Sequence, residues 1–242
     1  MTEEEKIKAP KKRDYRQRAH CNPLSDRLIP FPLNPSEIDW SDFYPILNTE
    51  EGQKIVDKTP SILDIGCGYG GMSFALGELF PEKLILGLEI RCVASSFVHD
   101  KVVAYRSTGK AKNVAVQWAN TMRTLMRYIE PHSVDKIFVL FPDPHFKKRK
   151  MKWRIISPQL MDEYAYIMKE NSRFYLVTDV KDYFDYAVPI IEHHPLFQKM
   201  ETVESMKDKC LQAALTSTEE SKKVDRNNGD KYSALFVRVS NK

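Results

Sequence analysis

Three observations predict that this chain folds as a doubly wound α/β domain with a mostly parallel sheet. Continuous apolar runs recur along the sequence, each followed by helical sequence, as strands covered on both faces and joined by crossover helices require. The first of them, Ser61-Ile-Leu-Asp-Ile65, runs into a glycine turn, Gly66-Cys-Gly-Tyr-Gly-Gly71, and then directly into a helix at Met72-Ser-Phe-Ala-Leu76. The last, Tyr232-Ser-Ala-Leu-Phe-Val-Arg-Val-Ser240, has no crossover helix before it and can therefore enter antiparallel beside the edge of the sheet.

Taken in order, residues 1–20 contain three consecutive glutamates and then Lys11-Lys-Arg-Asp-Tyr-Arg-Gln-Arg18, too polar for a core and expected to be a basic, disordered tail. Its basic residues suit a solvated segment, phosphate contacts or a nuclear-import signal equally. Residues 21–55 are proline-rich and include Asp39-Trp-Ser-Asp-Phe-Tyr44, which suggests an extended arm packed on the domain by its aromatics. The domain itself is expected over 56–242, with strands near 61–65, 84–90, 113–118, 134–141, 173–178 and 232–240, and helices over 158–169 and from 182 to about 193.

The 242 residues suffice for one such domain with a large core. Hydrophobic residues make up 42% and charged residues 29%, and 37 basic against 33 acidic side chains leave a net charge of +4, so charge placement carries more information than the total. No apolar run approaches the roughly 20 residues that span a bilayer, and a soluble, intracellular protein is expected. The cysteines at 21, 67, 92 and 210 have no metal-ligand spacing and are expected to be reduced thiols.

The glycine turn is a nucleotide-cofactor corner, because glycine tolerates the backbone angles of a sharp turn and presents N–H groups at a helix N-terminus. Gly66, Gly68 and Gly71 also satisfy the dinucleotide-binding spacing, so the glycines alone choose no cofactor. The lysine followed by Ser/Thr that a P-loop needs is missing from the region. Asp64 lies inside the strand before the turn, where an acid favours the cationic sulfonium and amino group of S-adenosylmethionine (SAM). Glu89 ends the second run, Leu84-Ile-Leu-Gly-Leu-Glu-Ile90, where a carboxylate can accept both hydroxyls of a ribose. A SAM site is the reading these acids favour.

The second informative stretch is Phe141-Pro-Asp-Pro-His-Phe-Lys-Lys-Arg-Lys-Met-Lys-Trp-Arg154, which starts where the fourth long strand ends. Ligands bind at the carboxyl ends of such strands, so Asp143 is aimed at the site between two stiff prolines. Six of the nine residues from Phe146 to Arg154 are basic and none is acidic, which reads as a surface for nucleic-acid phosphates.

Together, Leu63-Asp-Ile-Gly-Cys-Gly-Tyr-Gly-Gly71, Gly87-Leu-Glu-Ile-Arg91, Phe141-Pro-Asp-Pro-His-Phe-Lys147 and Thr216-Ser-Thr-Glu-Glu220 resemble the tRNA (guanine-7) methyltransferase family over nearly the whole chain. Arg16-Gln-Arg-Ala-His-Cys-Asn-Pro23 and Asp39-Trp-Ser41 are further similar to its eukaryotic catalytic subunit. The resemblance implies a seven-stranded, Rossmann-like sheet of the class I SAM-dependent methyltransferase type with its last strand antiparallel. It implies methyl transfer from SAM to nitrogen 7 of a guanosine in the variable loop of tRNA and a non-catalytic WD-repeat β-propeller partner; the expected location is the nucleus, with the cytoplasm as the alternative. By the same resemblance Gly66, Gly68, Glu89, Ile90, Arg91, Asn120, Thr121 and Leu140 would bind SAM, and Asp143 would be catalytic. Lys147, Asp179, Thr216, Thr218, Glu219 and Glu220 would meet tRNA, joined there by Lys148, Arg149 and Lys150 of the basic run. The Phe-Pro-Asp-Pro sequence also resembles the loops of enzymes that methylate exocyclic amines, so amine methylation of RNA is one alternative and a non-catalytic RNA-binding subunit that holds SAM is another.

Overall fold

The computed structural model describes residues 7–16, 21–25 and 28–240. Seven strands form one sheet in the order β3-β2-β1-β4-β5-β7-β6: β1 is Ile62–Ile65, β2 Ile85–Glu89, β3 Val114–Trp118, β4 Val134–Leu140, β5 Met168–Thr178, β6 Phe197–Lys199 and β7 Tyr232–Arg238. The pairs from β3 through β5 are parallel, and β7 is antiparallel to both β5 and β6. The chain winds outward in both directions from β1 and β4, so the crevice at their carboxyl ends is the switch point where such sheets bind ligands.

Alternation along each strand feeds two cores. Leu63 and Ile65 of β1, Ile137 and Val139 of β4, and Phe174 and Leu176 of β5 face one layer. Ile62, Phe138, Leu140, Tyr175 and Val177 face the other, where Phe138 and Tyr175 stack with centroids 4.2 Å apart. This is why the runs read as continuously apolar: both faces are covered by helices. Helix α1 is Trp40–Phe43, α2 Gly71–Leu79, α3 Cys92–Arg106, α4 Thr121–Tyr128, α5 Pro158–Ile167 and α6 Lys181–His193. Ser157 caps α5 and Pro158 occupies its first turn, a start signal visible in the sequence.

Three details differ from expectation. The last strand enters antiparallel, but beside it lies β6, a three-residue edge strand too short to leave a periodic trace. The segment between β6 and β7 folds into α7 (Thr202–Ser205), α8 (Lys209–Ala214) and α9 (Glu219–Arg226), none of them long enough for a clear helical period. Helix α5 ends at Ile167 and hands directly to β5, which begins earlier than its most apolar part.

The proline-rich arm is anchored by Trp40 and Tyr44, the latter fully buried with its hydroxyl donating to Ile85 O at 2.9 Å. Between Pro35 and Lys54 it coils through short 3-10 turns and α1. Residues 7–16 also touch the domain: Tyr15 packs edge-on against Phe97 and donates to Asp100, while Lys12 pairs with Glu219 at 3.1 Å. Positions 17–20 of the Arg16–Pro23 motif lie outside the described residues. Among the described residues no helix is long and apolar enough to cross a membrane.

Candidate active site

A cleft of about 470 Å³ opens at the carboxyl ends of β1, β2 and β4, within the size range of small-molecule sites. All eight residues expected to hold the cofactor line it: Gly66, Gly68, Glu89, Ile90, Arg91, Asn120, Thr121 and Leu140. Asp143, Asp179, Thr218, Glu219 and Glu220 line it too, so one cavity gathers residues from six separate parts of the sequence. Thr216 stands apart, its hydroxyl donating to Gln212 O at 3.0 Å.

The turn after β1 has the geometry its glycines suggest. Gly66, Gly68 and Gly70 take positive φ values of 75°, 57° and 78°, which side chains resist. Gly71 answers a different need: a Cβ there would sit 2.5 Å from Ser217 O, so the loop that delivers Thr218 and Glu219 can close on the turn only over a bare backbone. Cys67 is buried against Gly87, and burial pushes its thiol well up, as suits a space-filling group and not a nucleophile.

Glu89 is heavily hydrogen-bonded in the cleft and only 2% exposed. One carboxylate oxygen accepts from Arg91 N at 2.8 Å and Arg91 Nε at 3.0 Å, the other from Gly68 N and Arg91 Nη2, both at 2.9 Å. It therefore ties the glycine turn to β2. The four acceptor positions are all met by protein donors, so a diol at this carboxylate would compete with the Arg91 fork.

Asp64 lies behind the turn, 2% exposed, accepting from Ser73 Oγ at 2.6 Å. Burial pushes its carboxyl up to about 6, partly opposed by the Ser73 hydroxyl and reinforced by nearby Glu89. Asn120 occupies the N-cap position of α4 without capping it; its amide instead donates to Pro23 O at 2.6 Å. That bond brings the arm to the cleft, where Cys21 and Pro23 contribute to the wall.

Asp143 stands on a loop that leaves β4 through strained backbone. Phe141 and His145, at its two bends, have φ values of 49° and 44°, a region that costs a non-glycine residue about 1–3 kcal/mol. Asp143 is 28% exposed at the side chain, with His145 N at 3.4 Å and His145 Nδ1 at 3.6 Å from its Oδ1. His145 is itself buried, edge-on to Trp153 at 5.4 Å between centroids.

The basic run lies beside this loop and outside the cleft, in a 3-10 turn spanning Lys148–Trp153. Lys147, Lys148 and Arg149 are exposed, and Lys150 leans over the Trp153 ring at 5.1 Å. Among the described residues none of these four pairs with a carboxylate, which leaves their charge available to an outside anion. Arg154 differs from the rest: only 7% exposed, it faces inward. Tyr69, Met72, His145 and Trp153 also wall the cleft from within the two informative stretches, and so does Met122, which nothing in its local sequence marked.

The residues present fit SAM. A bare glycine turn, two buried carboxylates for cationic and hydroxyl groups, and apolar walls from Ile90 and Leu140 match its parts. A family model described as a putative methyltransferase matches residues 58–234. The tRNA (guanine-N(7)-)-methyltransferase of Kluyveromyces lactis is 44% identical over 97% of this chain and 86% of its own length. That of Anopheles gambiae is 42% identical over 96% of this chain and 97% of its own. Among solved structures, the 16S rRNA methyltransferase KamB shares the fold with a TM-score of 0.51 at 17% identity, covering 79% of this chain and 93% of its own.

Proposed function

Because the chain belongs to the tRNA (guanine-N(7)-)-methyltransferase family, whose members transfer a methyl group from SAM to nitrogen 7 of a guanosine in tRNA, we propose that its cleft performs this transfer with Asp143 on the base and Glu89 on the cofactor ribose. The observation that carries this reading is the convergence of Asp143, Glu89 and Asp64 on one cleft at the switch point of the sheet.

The bound cofactor supplies a methyl group on a cationic sulfur. Nitrogen 7 of guanine already carries a free lone pair, so no proton has to be removed before attack, and the chain's task is alignment and charge. Asp143 accepts hydrogen bonds from the N–H edge of the guanine and stabilises the positive charge that grows on the ring. Glu89 orients the ribose, Asp64 faces the cationic end of the cofactor, and Asp179, Thr218 and Glu219 bound the side where the nucleotide enters. Two finer parts rest on the resemblance alone, a variable-loop guanosine as target and a WD-repeat partner subunit; a nuclear location is a third, with which the run Lys11–Arg18 is compatible.

The test is to incubate the protein with labelled SAM and bulk tRNA, with and without a WD-repeat subunit, and digest the RNA to nucleosides. Label in 7-methylguanosine is the expected result; label in an amine-methylated nucleoside, or none, would reject the assignment.

Lys147, Lys148, Arg149 and Lys150 grip tRNA phosphates on this reading and leave the chemistry to Asp143. Replacing all four with alanine should make the slope of log affinity against log salt shallower by up to about 3, at ~0.7–0.9 per phosphate contact. Cognate and non-cognate tRNA should weaken alike, because phosphate contacts carry no sequence information. Titrations at several salt concentrations check this, and an unchanged slope would reduce the run to a solvated turn.

Asp64 sets a pH dependence. Its carboxyl is held near 6 in the folded chain against an ordinary 3.8, so the folded state binds the extra proton and loses stability as pH rises from about 4 to about 6. That gap amounts to about 3 kcal/mol above pH 6, which a cofactor ammonium beside the carboxylate would offset. Affinity for S-adenosylhomocysteine should therefore strengthen as pH rises through about 6 in the wild type and respond less in Asp64→Asn. Calorimetry at pH 5, 6 and 7 on both proteins decides it; parallel profiles would remove Asp64 from the cofactor's surroundings.

A further inference from the structure

We infer that Arg154 is the positioning residue for Asp143: its guanidinium closes the neck of the loop that carries both the carboxylate and the basic run. The inference rests on the reading of Asp143 given above. Strained backbone persists only where the surroundings over-determine it, so both bends of the Asp143 loop need a fixture. At the upstream bend the sheet supplies one, since Phe141 N donates to Val177 O at 2.7 Å. Downstream, the Pro144 carbonyl accepts from Arg154 Nε at 2.8 Å, ten residues along the chain. The residues between them form a closed loop whose outer surface bears Lys147, Lys148 and Arg149 and whose neck adjoins Asp143.

What fixes Arg154 lies outside the loop. Its guanidinium sits over the Tyr186 ring at 4.1 Å and near the Tyr183 ring at 5.6 Å, both on α6. The Tyr186 hydroxyl in turn donates to Ile156 O at 3.1 Å. Among the described residues Arg154 makes no ion pair with a carboxylate, and a cation buried against aromatic faces and one carbonyl is costly to desolvate. It is also closed off from a phosphate, unlike its basic neighbours. Its planar fork and stacked position instead suit holding one carbonyl at one place, which a lysine would do poorly. The tRNA grip and the carboxylate thus share one rigid loop, so that RNA docked on the outer surface is registered against Asp143.

The test combines Arg154→Ala and Arg154→Lys with Asp143→Ala in a double-mutant cycle, read by single-turnover methyl transfer at saturating SAM and tRNA. Either Arg154 variant should slow transfer about ten- to a hundredfold, with affinities for S-adenosylhomocysteine and tRNA nearly unchanged. In the Asp143→Ala background the same substitution should cause almost no further loss, because its effect passes through the missing carboxylate. Should Arg154→Ala fail to fold, Arg154→Lys, which keeps the stem and charge, carries the cycle. Additive losses, a defect confined to tRNA affinity, or full activity of Arg154→Lys would each overturn the role. Full activity of Asp143→Ala would instead remove the reading of Asp143, and this inference with it.

Discussion

Asp143→Ala should lower methyl transfer to tRNA by a hundredfold or more while leaving the fold and cofactor binding nearly intact, the scale on which a preorganised electrostatic group acts. The fold should tolerate the change because the side chain is partly exposed and its contact to His145 N, at 3.4 Å, is long. The loop has fixtures apart from the carboxylate. Its bends are held by Phe141 N on Val177 O and by the Pro144 carbonyl, so the alanine variant should present the same loop without its charge. Asp143→Asn sharpens the point: it keeps an acceptor of the same shape and loses the negative charge opposite the developing guanine cation. A loss in the asparagine variant close to that of alanine would place the effect in charge, and a small loss would place it in alignment. Turnover at the wild-type rate in Asp143→Ala would end the assignment.

Glu89→Ala should weaken S-adenosylhomocysteine by at least about a hundredfold and leave tRNA affinity unchanged, since two ribose hydroxyls lose charge-assisted bonds of roughly 1.5–3 kcal/mol each. The structure adds a second consequence that the ribose argument does not contain. The same carboxylate accepts from Gly68 N and from Arg91 through both its backbone and its guanidinium, so its removal takes the acceptor from part-buried N–H groups and the buried carboxylate from beside a part-buried cation. The variant should therefore also melt at a lower temperature. Glu89→Gln separates the two roles: it keeps one oxygen for the turn but lacks the charge and the second acceptor. Calorimetry with S-adenosylhomocysteine and thermal melts on both variants provide the measurement. A melting defect without a change in cofactor affinity would make Glu89 a clip for the turn and nothing more.

Much of this site was legible because its parts sit at breaks in a regular pattern. Gly66 and Gly68 follow β1, Glu89 closes β2, and Asp143 follows β4, each where an apolar run gives way to a polar or glycine residue. In a parallel sheet those ends fall on one edge, so three local signals become one place. The basic run was legible as charge but not as geometry. Five of its six cations stay on or near the surface, and the sixth, Arg154, turns inward because Tyr183 and Tyr186 wait for it on α6, some thirty residues away in the chain. Asn120 shows the same limit: it stands at the N-cap position of α4, yet its amide reaches instead to Pro23 O.

By itself the sequence determined part of the backbone conformation and the direction of burial: glycine at the positive-φ positions of the turn after β1, apolar runs where both faces of a strand are covered, proline where a carboxylate is stiffly presented. These depend on neighbouring residues, and neighbouring residues are what a sequence lists. Only the tertiary structure decided which groups meet. That Glu89 is shared between Gly68 and Arg91, that Asp64 is buried far enough to hold its proton to about 6, and that Arg154 closes the Asp143 loop all follow from the strand order and from helices packed across it. Contacts of that kind join residues through space, where the desolvation and hydrogen bonds that set their chemistry are decided by packing and not by distance along the chain.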